Sequence, residues 1–179
     1  MRVLAAILTL LAAPASAACP PSPSIQEEVV ALLKQAQGAQ SQMEARQVAP
    51  KLWALWAKAP DAKAQALLNR GMELLRVSDF KGSIAVLDEL VAYCPDYAEG
   101  YNQRAFANYL QQDFDAALPD LDRAQALSPN HTGVLTGKAL TLIGMGRAQA
   151  AQDVLRDAVA MNPWLSERAL LVEPKGEDL

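Results

Sequence analysis

Residues 98–130 read AEGYNQRAFANYLQQDFDAALPDLDRAQALSPN, and this stretch decides the fold. At its middle, Asp113-Phe114 reads as a turn between two helices. The Asp carboxylate can cap the exposed amides of the helix that follows, while the aromatic ring packs beneath it. Pro129 ends the second helix, because proline neither donates the backbone bond nor fits the preceding turn. The same punctuation recurs on both sides. Pro95, Pro129 and Pro163 lie at a constant step of 34 residues, and Asp79-Phe80 repeats the turn one step earlier. Four further columns share the step: Gly71, Ala105 and Ala139; Ser83, Ala117 and Ala151; Leu87, Leu121 and Leu155; Leu67, Tyr101 and Leu135. A fixed period of this length marks a stacked repeat. Two helices approach closely only where both carry small side chains, which accounts for the Gly/Ala and Ser/Ala columns, and the leucines then fill the space between repeats. In the third unit Gly144 and Gly146 replace the Asp-Phe turn with a backbone that tolerates a left-handed conformation.

With these columns in hand, Ala64 to Pro163 resembles three tandem units of the tetratricopeptide-repeat (TPR) family, and residues 98–130 match its pattern best. The resemblance implies an all-α fold: a right-handed α-solenoid of about three TPR helix pairs, over 61–96, 97–130 and 131–164, with a concave binding face. Pro119 falls inside a helix, but near its first turn, where the missing amide is harmless.

The flanks read as caps. Ser24 with Glu27 and Ser41 with Glu44 have capping-box spacing, predicting helices over 25–37 and 42–58, the second kinked or split by Pro50. Residues 18–60 thus form an N-terminal capping helix pair with the character of a degenerate repeat. Trp53 and Trp56 share a helix face and are expected to seal the first repeat. Pro163-Trp164 leads into a short C-terminal capping helix ending near Leu171, within a segment 165–179 whose end, 173–179, reads as a disordered tail.

Residues 1–17 carry the pattern of a signal peptide: Arg2, an apolar run from Val3 to Ala13, and Ala15-Ser16-Ala17 as the cleavage site. This predicts an exported protein of bacterial type, periplasmic in the first instance, with extracellular release or lipid anchoring at Cys19 ranked lower. The residues before Cys19 lack the bulky aliphatic that precedes a lipidated cysteine, so a membrane tether is not favoured. In an oxidising compartment Cys19 and Cys94 can pair. Closing the loop of 75 residues between them would stabilise by about 4 kcal/mol in the chain-entropy model. The alternative is an unpaired Cys19 and a buried, inert Cys94.

Composition narrows the function. A net charge of −4 with no run of Lys or Arg argues against a nucleic-acid partner, which needs a concentrated basic face. The single histidine, His131, follows Pro129-Asn130 and reads as an exposed turn residue. With no histidine pair and no Cys-x-x-Cys motif, neither a metal site nor another cofactor is expected. Phosphate loops and nucleophile elbows are absent too, so neither enzymatic activity nor a small-molecule substrate is expected. Asp113 and Asp115 read as caps at a helix start, and Asp120 and Asp122 as ordinary surface acids. The basic column Arg70, Arg104 and Lys138 is expected to pair with acids such as Asp88 and Asp122 on the neighbouring helix.

What remains is binding of a protein or peptide. The resemblance places the concave face on the first helix of each unit. In this chain that means Gln65, Leu68, Met72 and Leu75, then Glu99, Asn102, Phe106 and Tyr109, then Thr136, Leu140 and Ile143. Such a surface suits an amphipathic helix or an extended apolar peptide, with Asn102 and Gln103 free to bond its backbone. The Lys and Asn set with which co-chaperone TPR domains clamp a terminal carboxylate is missing. An interaction module in envelope assembly or maintenance is the leading expectation. A self-associating structural subunit, its groove filled by its own segment or by another copy, is the alternative.

Overall fold

The computed structural model describes residues 18–172; the expected signal segment, 1–17, and the expected tail, 173–179, lie outside the described residues. Its helices are α1 (Gln26–Gly38), α2 (Gln42–Arg46), α3 (Ala49–Trp56), α4 (Ala62–Arg76), α5 (Phe80–Tyr93), α6 (Ala98–Leu110), α7 (Phe114–Leu127), α8 (Thr132–Gly144) and α9 (Ala148–Met161), followed by a 3₁₀ turn at Ser166–Leu170. From α4 onward each helix packs on the next, and the first helices of successive pairs also touch, α4 on α6 and α6 on α8. That order is a solenoid of three pairs, 4/5, 6/7 and 8/9, with α4, α6 and α8 along one side.

The small-residue seam holds each pair together. At Gly71 an added Cβ would come within 2.7 Å of the Leu87 side chain, and the buried Ser83 hydroxyl donates to the Gly71 carbonyl at 2.9 Å. One repeat on, Ala105, Ala117, Leu121 and Ala124 close up with Val134 of the following unit. Leu87, Leu121 and Leu155 are all buried, and each contributes roughly 1.5–3 kcal/mol relative to exposure.

The turns within the pairs are equally regular. Asp79 and Asp113 accept from the Gly82 and Ala116 amides at 3.0 and 3.1 Å, capping α5 and α7 as their positions suggested. Just before them, Ser78 and Gln112 have φ of 61°, and Gly146 has φ of 73°. These residues are again one repeat apart. Each is followed by an amide that reaches back to the first helix: Asp79 to Leu74, Asp113 to Asn108 and Arg147 to Leu142. This is a Schellman closure in which only the third repeat uses glycine at the left-handed position.

The basic column behaves less uniformly than expected. Lys138 pairs with Asp122 at 2.7 Å. Arg104 bridges Asp88 at 2.7 Å and Asp120 at 2.6 Å. Asp120 is therefore a buried partner rather than a surface acid. Among the described residues Arg70 makes no such bridge, and one repeat back from Asp88 and Asp120 stand Ala54 and Val86, which offer it no carboxylate.

The N-terminal region departs furthest from the expectation. Ile25, not Ser24, is the residue before α1, and no side chain caps it. Ser41 does cap α2, accepting from the Glu44 amide at 3.3 Å, and the Glu44 carboxylate answers by accepting from the Gln40 amide at 2.8 Å. The expected second helix is divided into α2 and α3, with Pro50 in the first turn of α3, where it needs no donor. Val29, Leu33, Ala36, Val48, Leu52 and Trp56 form a core of their own, onto which Met161 of α9 packs. Gln37 donates to the Ala160 carbonyl at 2.9 Å. The cap thus does not extend the stack from its first end; it crosses to the last helix. Cys19 and Cys94 are joined in a disulfide that ties the start of this region to the end of α5. No helix among the described residues is long and apolar enough to cross a membrane.

Candidate functional site

The cap divides the inner side of the solenoid into a roofed half and an open half. Four residues expected on display are buried: Glu99 lies under the roof, Leu68 packs in the core with Leu87 and Leu90, and Asn102 and Thr136 lie low in the lining of the open half. Glu99 is covered because it lies at the start of α6 beside His131, on which Trp56 comes to rest.

His131 is also misplaced by the sequence reading. It is only 1% exposed, and its indole neighbour is the reason: the Trp56 and His131 rings stack at 3.9 Å between centroids, 16° from parallel. His131 caps α8 by accepting from the Val134 amide at Nδ1, 3.2 Å away. That bond leaves the ring proton on Nε2, which donates to the Glu99 carboxylate at 2.8 Å. Glu99 further accepts from Gln103 at 2.6 Å and from Asn102 at 3.1 Å. All its partners are donors, so a buried carboxylate is held by neutral N–H groups. The Tyr97 hydroxyl donates to the Trp56 carbonyl at 3.1 Å, and burial, then the Glu99 charge, pushes its pKa well above the ordinary phenol value. Trp56 therefore does not seal the first repeat, while Trp53 borders the open face beside Met72 and Leu75 of that repeat. Trp56 is pinned on the junction of the second and third.

Asn102 and Gln103 each donate to Glu99, and both also stand in the lining of the trough that forms the open half. Their carbonyl oxygens are turned away from Glu99, because a carboxylate accepts only.

Beyond this network the open half is an apolar trough of about 590 Å³ running across all three repeats. Met72 and Leu75 of α4, Phe106 and Tyr109 of α6 and Leu140 of α8 line it, and Trp53 of α3 joins the wall. Phe106 is 48% exposed and Ile143, on the next repeat, 41%. Gln65 stands apart from the trough, accepting from the Ala59 amide at 3.0 Å at the hinge between cap and solenoid. Of the eleven expected positions, then, six remain at least partly exposed, Asn102 and Thr136 are buried low in the trough's lining, Leu68 and Glu99 are enclosed, and Gln65 secures the connection.

Tyr97 carried a usable signal. It stands one repeat before His131, so both are ring-bearing residues at the start of a first helix, and both are buried. Read as a column, they would have placed His131 in the interior.

The family models agree with this architecture. Two models described as tetratricopeptide repeat match residues 68–132 and 109–169, together more than half of the chain. The chain belongs to the tetratricopeptide-repeat family. Among curated proteins it is 26% identical over 106 residues to a TPR repeat-containing protein of Rhizobium etli, covering 59% of this chain and 52% of that one. It is 31% identical over 118 residues to tetratricopeptide repeat protein 36 of Xenopus tropicalis, covering 63% and 58%. The chain thus spans little more than half the length of these relatives. Among solved structures, the TPR2B domain of yeast Sti1 in its complex with pHsp70 superposes with a TM-score of 0.58 at 24% identity, covering 62% of this chain and 90% of that one. MamA superposes at 0.53 and 17% identity, covering 84% and 83%. These likenesses establish the fold, an all-α TPR solenoid.

Proposed function

We propose that this protein is an exported interaction module that takes an apolar segment of a partner protein into the open half of its concave face and acts in assembly or maintenance of the cell envelope. The observation that carries the reading is the trough itself: Met72, Leu75, Phe106, Tyr109 and Leu140 converge on one solvent-open surface, although burial would be worth roughly 1.5–3 kcal/mol for each large side chain. Sti1 domains of the same fold are seen in complexes with pHsp70 and pHSP90. Here the ligand would be apolar, since the lining offers neither the Lys nor the Asn pattern of a carboxylate clamp. Export is supported by the signal pattern of residues 1–17 and by the Cys19–Cys94 bridge, a bond suited to an oxidising compartment.

The test is Phe106→Ala combined with Tyr109→Ala, with crosslinked capture from the native envelope as the assay. The pair should abolish capture while leaving helical circular dichroism and the melting midpoint nearly unchanged, because Phe106 is half exposed. A large loss of stability would show that these rings serve the fold, and unaltered capture would place the partner elsewhere.

A further inference from the structure

The trough lined by Phe106 and Tyr109 is apolar in its walls but not in its floor. Asn102 and Gln103, both more than nine-tenths buried, stand in its lining. Each spends an N–H on Glu99, Asn102 at 3.1 Å and Gln103 at 2.6 Å, so the orientation of both amides is settled and their oxygens point the other way. No donor among the described residues reaches Asn102 Oδ1 or Gln103 Oε1, yet neither oxygen is sealed in: the buried side-chain atoms left without a partner are the Trp56 and Trp164 indole nitrogens. The two oxygens therefore meet whatever fills the trough. Thr136, on the next repeat, adds no donor, because its hydroxyl gives to the Gly133 carbonyl at 3.1 Å.

The charge balance has the same sign. Glu99 is a buried carboxylate held by neutral N–H groups, and among the described residues no Lys or Arg bridges it. Its charge stands directly behind the two amides, in surroundings where it is poorly screened. Among the described residues lining the trough the one cation is Arg76, and Glu73 holds its guanidinium through hydrogen bonds of 2.9 and 2.6 Å. Glu167, the other charged residue of the lining, is a second carboxylate. The rings of Trp53, Phe106 and Tyr109 complete the walls, and aromatic faces attract cations.

Of the side chains a partner can offer, lysine answers this surface best. Its methylene stem lies along apolar surface while its ammonium carries three donors, whereas arginine's flat fork matches a carboxylate or phosphate rather than two separate amide oxygens. On the reading of the trough as a site for a partner's apolar segment, we propose that this segment turns one lysine inward, its stem against Phe106 and its ammonium donating to the Asn102 and Gln103 oxygens, with the Glu99 charge behind them. Phe106 follows these two residues by one turn of α6, about 5.4 Å along the axis, a distance the stem spans.

The probe is a fluorescein-labelled, blocked peptide Ser-Leu-Ala-X-Leu-Ala-Ser, titrated with the full chain and followed by fluorescence anisotropy. With lysine at X it should bind about tenfold tighter, or more, than with norleucine, which keeps the stem and loses the ammonium. It should exceed by as much a peptide of equal charge that has norleucine at X and lysine in place of one terminal serine. Acetylating the central lysine should cost the same, since a single neutral N–H then faces two oxygens. In Glu99→Gln, with helical circular dichroism confirming the fold, the preference for lysine over norleucine should fall to about threefold or less. Norleucine binding as tightly as lysine, or acetyl-lysine doing so, would overturn the inference and leave the trough's role in taking apolar segments intact. Equal binding of the end-lysine peptide would reduce the effect to diffuse attraction and overturn it too, as would an unchanged preference in folded Glu99→Gln. Absence of binding by every peptide into the millimolar range would sink the reading of the trough itself and the inference with it. The peptide comparisons use the native chain, so they decide the matter even where Glu99→Gln unfolds.

Discussion

The contact between Glu99 and His131 can be weighed by taking it apart. Consider Glu99→Gln. The native carboxylate presents only acceptors to His131 at 2.8 Å, Gln103 at 2.6 Å and Asn102 at 3.1 Å. Glutamine keeps the shape but supplies one acceptor oxygen and turns an N–H₂ group toward the remaining donors. A hydrogen bond to a charged group is worth about 1.5–3 kcal/mol, and a buried donor left facing another donor costs about 1–3. The variant should lose about 2–4 kcal/mol, and with a midpoint sensitivity of roughly 2–4 °C per kcal/mol at this size its melting temperature should fall by roughly 4–16 °C. His131→Asn attacks the other end. Asparagine is a good helix cap, so α8 should still start, while the bond to Glu99 and the stack on Trp56 are lost.

The decisive quantity is the coupling. If the two side chains act on each other, the double variant should cost less than the sum of the single ones by about 1.5–3 kcal/mol, since the second change has no bond left to break. Urea unfolding followed by circular dichroism supplies all four free energies. Additivity within about 0.5 kcal/mol would show that Glu99 and His131 stabilise the protein independently, and the account of the roof as pinned through this pair would fail.

The repeat seam predicts that Ala105→Leu, which inserts a large side chain where Ala105 closes on Ala117 and Leu121, will cost about 1–3 kcal/mol by urea unfolding; a neutral result would contradict the packing described. Ser78→Gly and Gln112→Gly relieve left-handed conformations worth about 1–2 kcal/mol apiece, less about 0.4–1 for the freer unfolded chain, so the pair should raise stability by roughly 1 kcal/mol. A lower melting point for that pair would refute the reading of the turns. Asp61 caps α4, and its carboxyl is held below the ordinary range first by the Ala64 amide and next by the Tyr93 hydroxyl. Its contribution should be complete above the unfolded value near pH ~3.9 and fade as pH drops through the lower folded value. Asp61→Asn keeps a cap without the charge, so the stability gap between variant and native protein should shrink toward acid; a gap constant from about pH 6 to about pH 2 would exclude this assignment.

The solenoid could be read from the chain because its contacts are local and repeated. Pro95, Pro129 and Pro163 end second helices, the Gly71 column sits at the crossings, and each residue repeats a neighbour's environment at a fixed step. The roof has neither property. It is held by pairs that no period links: Gln37 to Ala160 over 123 residues, and Tyr97 to Trp56 over 41. A capping spacing such as Ser41 with Glu44 says where a helix begins but not which surface it lands on, and Trp53 with Trp56 announced a shared face without announcing its neighbour. The burial of His131 and of the Glu99 it bonds followed from that landing. Even so, the roof left a trace in composition: a lone histidine in a column with Tyr97 is a residue a bare groove would have no need to pair.

The placement of the roof also sets what the groove can accept. Were the whole inner side free, a ligand could lie along α4, α6 and α8 from end to end. With Trp56 seated on His131 and Glu99 enclosed beneath it, the region at the starts of α6 and α8 is closed by interactions that would all have to break together. Only the stretch between Met72 and Leu140 remains, bounded by Trp53. Under the proposed function, a partner segment entering there would meet mostly apolar side chains with Asn102 and Gln103 among them, so its affinity would come largely from apolar surface and its length would be limited by the roof. Shortening the ligand to the few residues that reach Phe106 and Tyr109 should therefore cost little, whereas lengthening it toward the roofed half should gain nothing unless the cap lifts.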